Sequence, residues 1–161
     1  MNQTSRVLSN RRIAVISAAW HAELVGRARE GLLDELARHG LPPPRADCIE
    51  APGAFEIPLL AQRLARQGRH DAIVAIALVV DGGIYRHDFV AGAVIDGLMR
   101  VQLDTGVPVF SVVLTPQAFH EHADHQRFFA EHLVGKGRHA AQAVVQALAA
   151  ADQVDTLVAA A

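Results

Sequence analysis

The chain has 161 residues, 51% hydrophobic and 20% charged, which suits one folded domain spanning 1–161 and excludes a disordered chain. A formal net charge of −2 without a basic block leaves no footprint for nucleic acid or an anionic membrane. Cys48 is the one cysteine, which excludes an internal disulfide and fits a reducing compartment or indifference to redox; with no apolar run of membrane-spanning length, a cytoplasmic protein is expected.

The polar start, MNQTSRVLSNRR, has no apolar h-region, so no secretory leader is expected. IAVISA, Ile13–Ala18, is short and β-branched, as a buried strand is. Trp20, the only tryptophan, follows at once. A flat side chain at a strand exit can stack on a planar heterocycle, although a lone tryptophan is more often core. Leu24, Ala28, Leu32 and Leu36 then recur every four residues and stripe a helix, which Gly40 and the following LPPP end. A short second strand is expected over Ala46–Glu50.

GAFEIPLLAQRLARQG reads as a helix with Ile57, Leu60 and Leu64 on one face and Pro58 in the first turn. Glu56 suits the positive end of that helix. A carboxylate beside free N–H groups can also read the polar edge of a ring. Asp71–Val80 is continuously apolar after its first residue, as expected of a strand covered on both faces. The stretch VVDGGIYRHDFV leaves it. Gly82 and Gly83 stand where free backbone N–H groups can face a phosphate, yet neither GxGxxG nor a P-loop is present. Arg86 can hold an anion and His87 can move a proton near neutral pH; the plainer alternative is an exposed polar pair.

A helix over Phe89–Leu103 is expected next, capped by Asp88, with Val90, Val94, Leu98 and Val101 on its inner side and Gly106 beyond its end. VPVFSVVLT, Val107–Thr115, is another buried strand. Two helical patterns, Gln117–Leu133 and Arg138–Leu148, follow, divided by the GKG at 135–137. Residues 1–11 and 150–161 are expected to be flexible.

His120, His122, His125 and His132 raise the question of a metal. The zincin HExxH fails, because Asp124 stands four residues after His120. On a helix His120 and His122 diverge by about 200°. No metal is expected, and anion contact by one of these histidines is the better reading. Ser17, Ser111 and Thr115 lack a GxSxG setting and a visible base. Cys48 is read as structural.

The alternation of strands and helices implies a three-layer α/β/α sandwich, with a four-stranded, mainly parallel sheet and helices on both faces. Ligands in such sheets bind outside the carboxyl ends of the strands. SAAWH, APGAFE, VVDGGIYRH and SVVLTP all fall there.

GAFEIP at 53–58, the apolar strand, the glycine–histidine turn, and then GL, PV, LT and KG in that order resemble the lumazine synthase family. DGGIYRHDFV, together with Trp20–His21, resembles its type II branch. The resemblance covers roughly Ile13–Leu148. It implies a transferase of riboflavin biosynthesis that condenses 5-amino-6-(D-ribitylamino)uracil with 3,4-dihydroxy-2-butanone 4-phosphate. The products are 6,7-dimethyl-8-ribityllumazine, phosphate and water, and no metal or organic cofactor takes part. The alternative is a paralogue that binds flavin or lumazine with little catalysis.

The resemblance also implies pentamers, paired into decamers in the type II branch, with each active site shared between neighbouring copies. By position, Trp20 matches the aromatic that stacks on the pyrimidine. Ala54, Phe55 and Glu56 match the segment that holds the uracil and ribityl chain. Leu78, Val79 and Val80 match the strand end whose backbone reads the ring. Gly83, Ile84 and His125 fall on phosphate-binding positions, and Ser111 falls where a neighbouring copy supplies an aromatic. Asp81 and Ile84 replace the usual Arg and Thr of the phosphate turn. An ungapped match places Arg86 on the catalytic histidine, with His87 one residue later, so both are catalytic candidates. A looser phosphate site, with slower turnover or weaker substrate affinity, is expected.

Overall fold

Four apolar runs pair into one parallel sheet of order β2-β1-β3-β4: β1 (Ile13–Ala18), β2 (Ala46–Ala51), β3 (Ala72–Leu78) and β4 (Val109–Leu114). The structure, a computed structural model, describes residues 8–117, 119 and 122–160. Helices α1 (Ala22–Arg38), α2 (Ile57–Arg66) and α3 (His87–Thr105) connect successive strands, and α4 (Ala123–Ala159) completes the order.

The period-two alternation of a strand divides the core into two layers. Ile13 and Val15 of β1, with Val74, Ile76 and Val112, pack under α1 and α4. Ala14, Ile16 and Ala18, with Ile73, Ala75 and Val113, pack under α2 and α3. The expected three-layer sandwich is therefore present, and β3, buried at every position, is its centre.

Packing corrects several details. The seam between α1 and α4 is the most extensive helix–helix contact. The GKG does not break α4, which runs on through it. These glycines look like breakers from propensity alone, but a Cβ on Gly137 would lie 2.0 Å from the Ala28 carbonyl oxygen. On the other side of the seam, one on Gly31 would lie 2.2 Å from the Val134 carbonyl oxygen. Glycine is there to let two helix backbones touch. Helix α2 begins only at Ile57, after a 3₁₀ turn at Ala54–Glu56, and its buried stripe is Ile57, Ala61 and Ala65, with Leu60 and Leu64 on the flanks. Asp88 is not the cap of α3. Arg86 holds that position, Asp88 sits in the first turn, and Ala91 rather than the exposed Val90 starts the inner face. Gly106 ends α3 in a left-handed conformation, as expected.

Ion pairs gather at the amino end of the sheet. Arg11 Nη1 donates to Asp71 at 2.9 Å, and its Nη2 reaches Asp152 of α4. Arg12 Nη1 donates to Asp47 Oδ2 at 2.8 Å, and His70 Nε2 lies 2.8 Å from the same oxygen. The opposite, carboxyl end is the one the sequence points to.

Candidate active site

Sheet order decides which loops meet. Because β1 lies between β2 and β3, the segment after β1 sits between the 3₁₀ turn after β2 and the loop after β3. By that order the chain at Trp20 leaves the sheet at the same edge as the Ala54–Glu56 turn on one side and the Leu78–Val80 strand end on the other. The Ala19 N–H donates to the Ala51 carbonyl at 2.8 Å, which carries the β1–β2 pairing one step past the strand ends. Trp20 follows, 73% exposed. His21, at the cap of α1, takes the left-handed conformation with φ 55°, and its ring meets Phe119 edge-on. Phe55 is 65% exposed on its 3₁₀ turn, beside the exposed Glu56 and the half-buried Ala54. These large apolar surfaces face solvent at a strand edge where no core needs them.

At the end of β3 Leu78 is buried, and Val79 and Val80 beyond it are half-buried. The loop then folds back on its own charges. The Gly83 N–H, at φ 80°, donates to Asp81 Oδ1 at 2.7 Å. The same Asp81 oxygen lies 3.9 Å from His87 Nδ1. Ile84 and Tyr85 project outward, 83% and 85% exposed.

The two candidate proton carriers have different surroundings. Arg86 donates from Nε and Nη2 to the two oxygens of Asp88, at 3.0 and 2.7 Å, and its guanidinium carbon stands 4.3 Å from the centre of the Phe89 ring. Hydrogen bonding to Asp88 raises the Arg86 pKa further, and Arg86 in turn lowers that of Asp88. His87 opens α3 with its side chain half-buried and its Nδ1 edge toward Asp81.

One expected residue stands apart. Ser111 lies opposite Ala75 in mid-β4, three residues before the strand end, and so about 10 Å from the carboxyl edge. Its hydroxyl accepts the Val113 N–H. His125 lies in the first turns of α4, and its side chain falls outside the described residues, as does His120 altogether. Among the described residues no group of three His, Cys, Asp or Glu side chains could hold a metal. Ser17 is buried, and Cys48 lies exposed on the outer strand with its thiol pKa raised, chiefly by partial burial.

Sequence reading missed a pocket of about 180 Å³ at the same edge, lined by Leu78, Leu114, Thr115, Phe129, His132 and Lys136, among others. It forms where the end of β4 meets the first turns of α4. The LT and KG pieces of the resemblance were its only trace in the sequence.

Residues 10–152 match the protein family described as 6,7-dimethyl-8-ribityllumazine synthase. The chain is 64% identical over 137 residues to the 6,7-dimethyl-8-ribityllumazine synthase of Rhodococcus erythropolis, covering 85% of this chain and 88% of the relative. It is 49% identical over 148 residues to 6,7-dimethyl-8-ribityllumazine synthase 2 of Pseudomonas syringae pv. tomato, covering 92% and 87%. It is 51% identical over 144 residues to the synthase 2 of Bradyrhizobium diazoefficiens, covering 89% and 86%.

Proposed function

Because this chain belongs to the 6,7-dimethyl-8-ribityllumazine synthase family, transferases of riboflavin biosynthesis, we propose that its carboxyl-edge residues join 5-amino-6-(D-ribitylamino)uracil to 3,4-dihydroxy-2-butanone 4-phosphate. The nucleophile is the substrate's own amine, so the chain must supply placement, a phosphate cradle and a path for protons. The observation that carries this reading is the convergence of the Trp20, Ala54–Glu56 and Leu78–His87 segments at one sheet edge.

In this reading Trp20 stacks on the pyrimidine. Ala54, Phe55 and Glu56 hold the ring and ribityl chain, while the backbone of Leu78, Val79 and Val80 reads the ring edge. Gly83, Ile84 and His125 receive the phosphate. The Gly83 N–H is engaged by Asp81, so a phosphate takes that donor only by displacing a carboxylate. That competition fits a weaker phosphate site than a turn carrying Arg and Thr. His87 carries the proton, because an imidazole can hold a proton on one ring nitrogen and accept one on the other. Arg86 is a permanent cation, held by Asp88, and contributes positive charge rather than a proton path.

Ser111, far from its own chain's edge, serves the site of a neighbouring copy. Ile95, Met99 and Leu103, spaced by four along α3 and exposed, give a second copy an apolar stripe to cover. The assembly in this reading is a pentamer, paired into a decamer, in the cytoplasm. No helix among the described residues is long and apolar enough to cross a membrane.

Mixing both substrates with the purified protein tests the catalytic reading. Fluorescent lumazine should form faster than in the spontaneous reaction. No acceleration would overturn catalysis, and tight riboflavin quenching without turnover would favour a flavin-binding relative instead.

A further inference from the structure

The β3–β4 ladder ends in an irregular way. The Val79 N–H donates to the Leu114 carbonyl at 2.9 Å. In a parallel ladder the return bond to the Val79 carbonyl comes from the N–H two residues further along β4. That residue is Pro116, which has no N–H. The Thr115 hydroxyl takes its place, donating to the Val79 carbonyl oxygen at 2.8 Å. Both polar groups of Val79 are thereby committed to β4.

The Val79 carbonyl and the Val80 N–H belong to one planar trans peptide and point in opposite directions. Pulling the carbonyl toward β4 therefore turns the Val80 N–H toward β1, on whose exit Trp20 stands. We propose that Thr115 is a positioning residue for this reaction: its hydroxyl, through the Val79–Val80 peptide plane, aims the Val80 N–H at the pyrimidine stacked on Trp20. The inference rests on the reading that this strand end holds the ring. Thr115 does not touch the reacting atoms, and its exposed side chain contributes little to the core.

The test compares Thr115→Val, Thr115→Ser and the double variant Thr115→Val/Pro116→Ala in steady-state assays that vary each substrate separately. Thr115→Val should raise KM for the aminouracil about 3- to 10-fold, the worth of one hydrogen bond, and leave KM for the butanone phosphate unchanged. Thr115→Ser keeps the donor and should behave as wild type. The double variant restores an N–H at position 116 and should recover most of the lost affinity. An unchanged aminouracil KM in Thr115→Val, equal changes for both substrates, or no rescue by serine would overturn the proposal. Trp20→Ala separates this failure from that of the underlying reading. If it raises the aminouracil KM while Thr115→Val does not, the positioning role alone falls. If Trp20→Ala leaves that KM unchanged, ring placement itself is wrong and the role of Thr115 falls with it.

Discussion

Gly137→Ala and Gly135→Ala, two residues apart in one helix, should have opposite effects on stability. An alanine Cβ at 137 would sit 2.0 Å from the Ala28 carbonyl oxygen and 2.7 Å from the Leu32 nitrogen. Ordinary carbon–oxygen contact begins at about 3.3 Å, so α1 and α4 must part by roughly 1 Å. The obstacle is backbone, and no side chain can swing aside. A gap of that size forfeits about a quarter to a half of each dispersion contact it opens. The seam holds Ala28, Leu32, Leu133, Ala141 and Val144, all buried. Overpacking costs about 1–3 kcal/mol, and a backbone collision belongs at the upper end. The better helix propensity of alanine returns about 1 kcal/mol, leaving a net loss of about 2 kcal/mol. A Cβ on Gly135 meets nothing within 4 Å, so alanine there should gain up to about 1 kcal/mol. Urea unfolding followed by far-UV circular dichroism, at one protein concentration because assembly adds to apparent stability, measures both. The midpoint should fall for Gly137→Ala and rise for Gly135→Ala, with m unchanged. A Gly137→Ala protein as stable as the parent would refute the close crossing of the two helices.

His87→Ala should slow single turnover by about 100-fold and Arg86→Ala by much less; wild-type rates in His87→Ala would pass the proton to Arg86. Hydrogen bonds from Arg12, then His70, hold the Asp47 carboxyl below its ordinary value of 3.8, so its contribution to stability is present above that value and is lost as pH falls through the lower folded one. Asp47→Asn should therefore melt earlier than the parent at about pH 7, with the difference closing below about pH 4; a constant difference into acid would remove the ion pair from the account. Met99→Glu, in the exposed stripe of α3, should shift sizing chromatography toward smaller species while leaving helix content intact. Unchanged elution would take that stripe out of the assembly interface.

Strands were legible because β1 and β3 are buried on both faces and show it as unbroken apolar runs. Helix ends were legible where a left-handed glycine, such as Gly106, was required. The unbroken course of α4 was not legible, since local propensity reads Gly135 and Gly137 as interruptions, and only the closeness of α1 explains the second. The inner face of α2 was misjudged for a related reason: the small Ala61 and Ala65 point at the sheet, and the larger Leu60 and Leu64 spread over its margins. At the candidate site, sequence order alone could mark four strand exits but could not bring them together, because that depends on β1 pairing between β2 and β3. The Asp81–Gly83 and Arg86–Asp88 contacts are local and lie within reach of a sequence argument. The pocket between Thr115 and Lys136 depends on how α4 docks, which no local pattern encodes.

The 37 residues of α4 make a rod of about 55 Å, against about 20 Å for a six-residue strand. One part of the rod walls the pocket at Phe129, His132 and Lys136. About 24 Å further on, Asp152 is latched to Arg11, which also grips Asp71 at the amino end of the sheet. Between them the rod crosses α1 on its glycines. Moving the pocket wall outward would mean pivoting the whole rod on that crossing and pulling the latch at its far end. The opposite bank is held differently: residues 81–86 are exposed throughout, and the contacts they make are local ones, Asp81 with Gly83 and His87, and Arg86 with Asp88 and Phe89, which makes it the easier bank to displace.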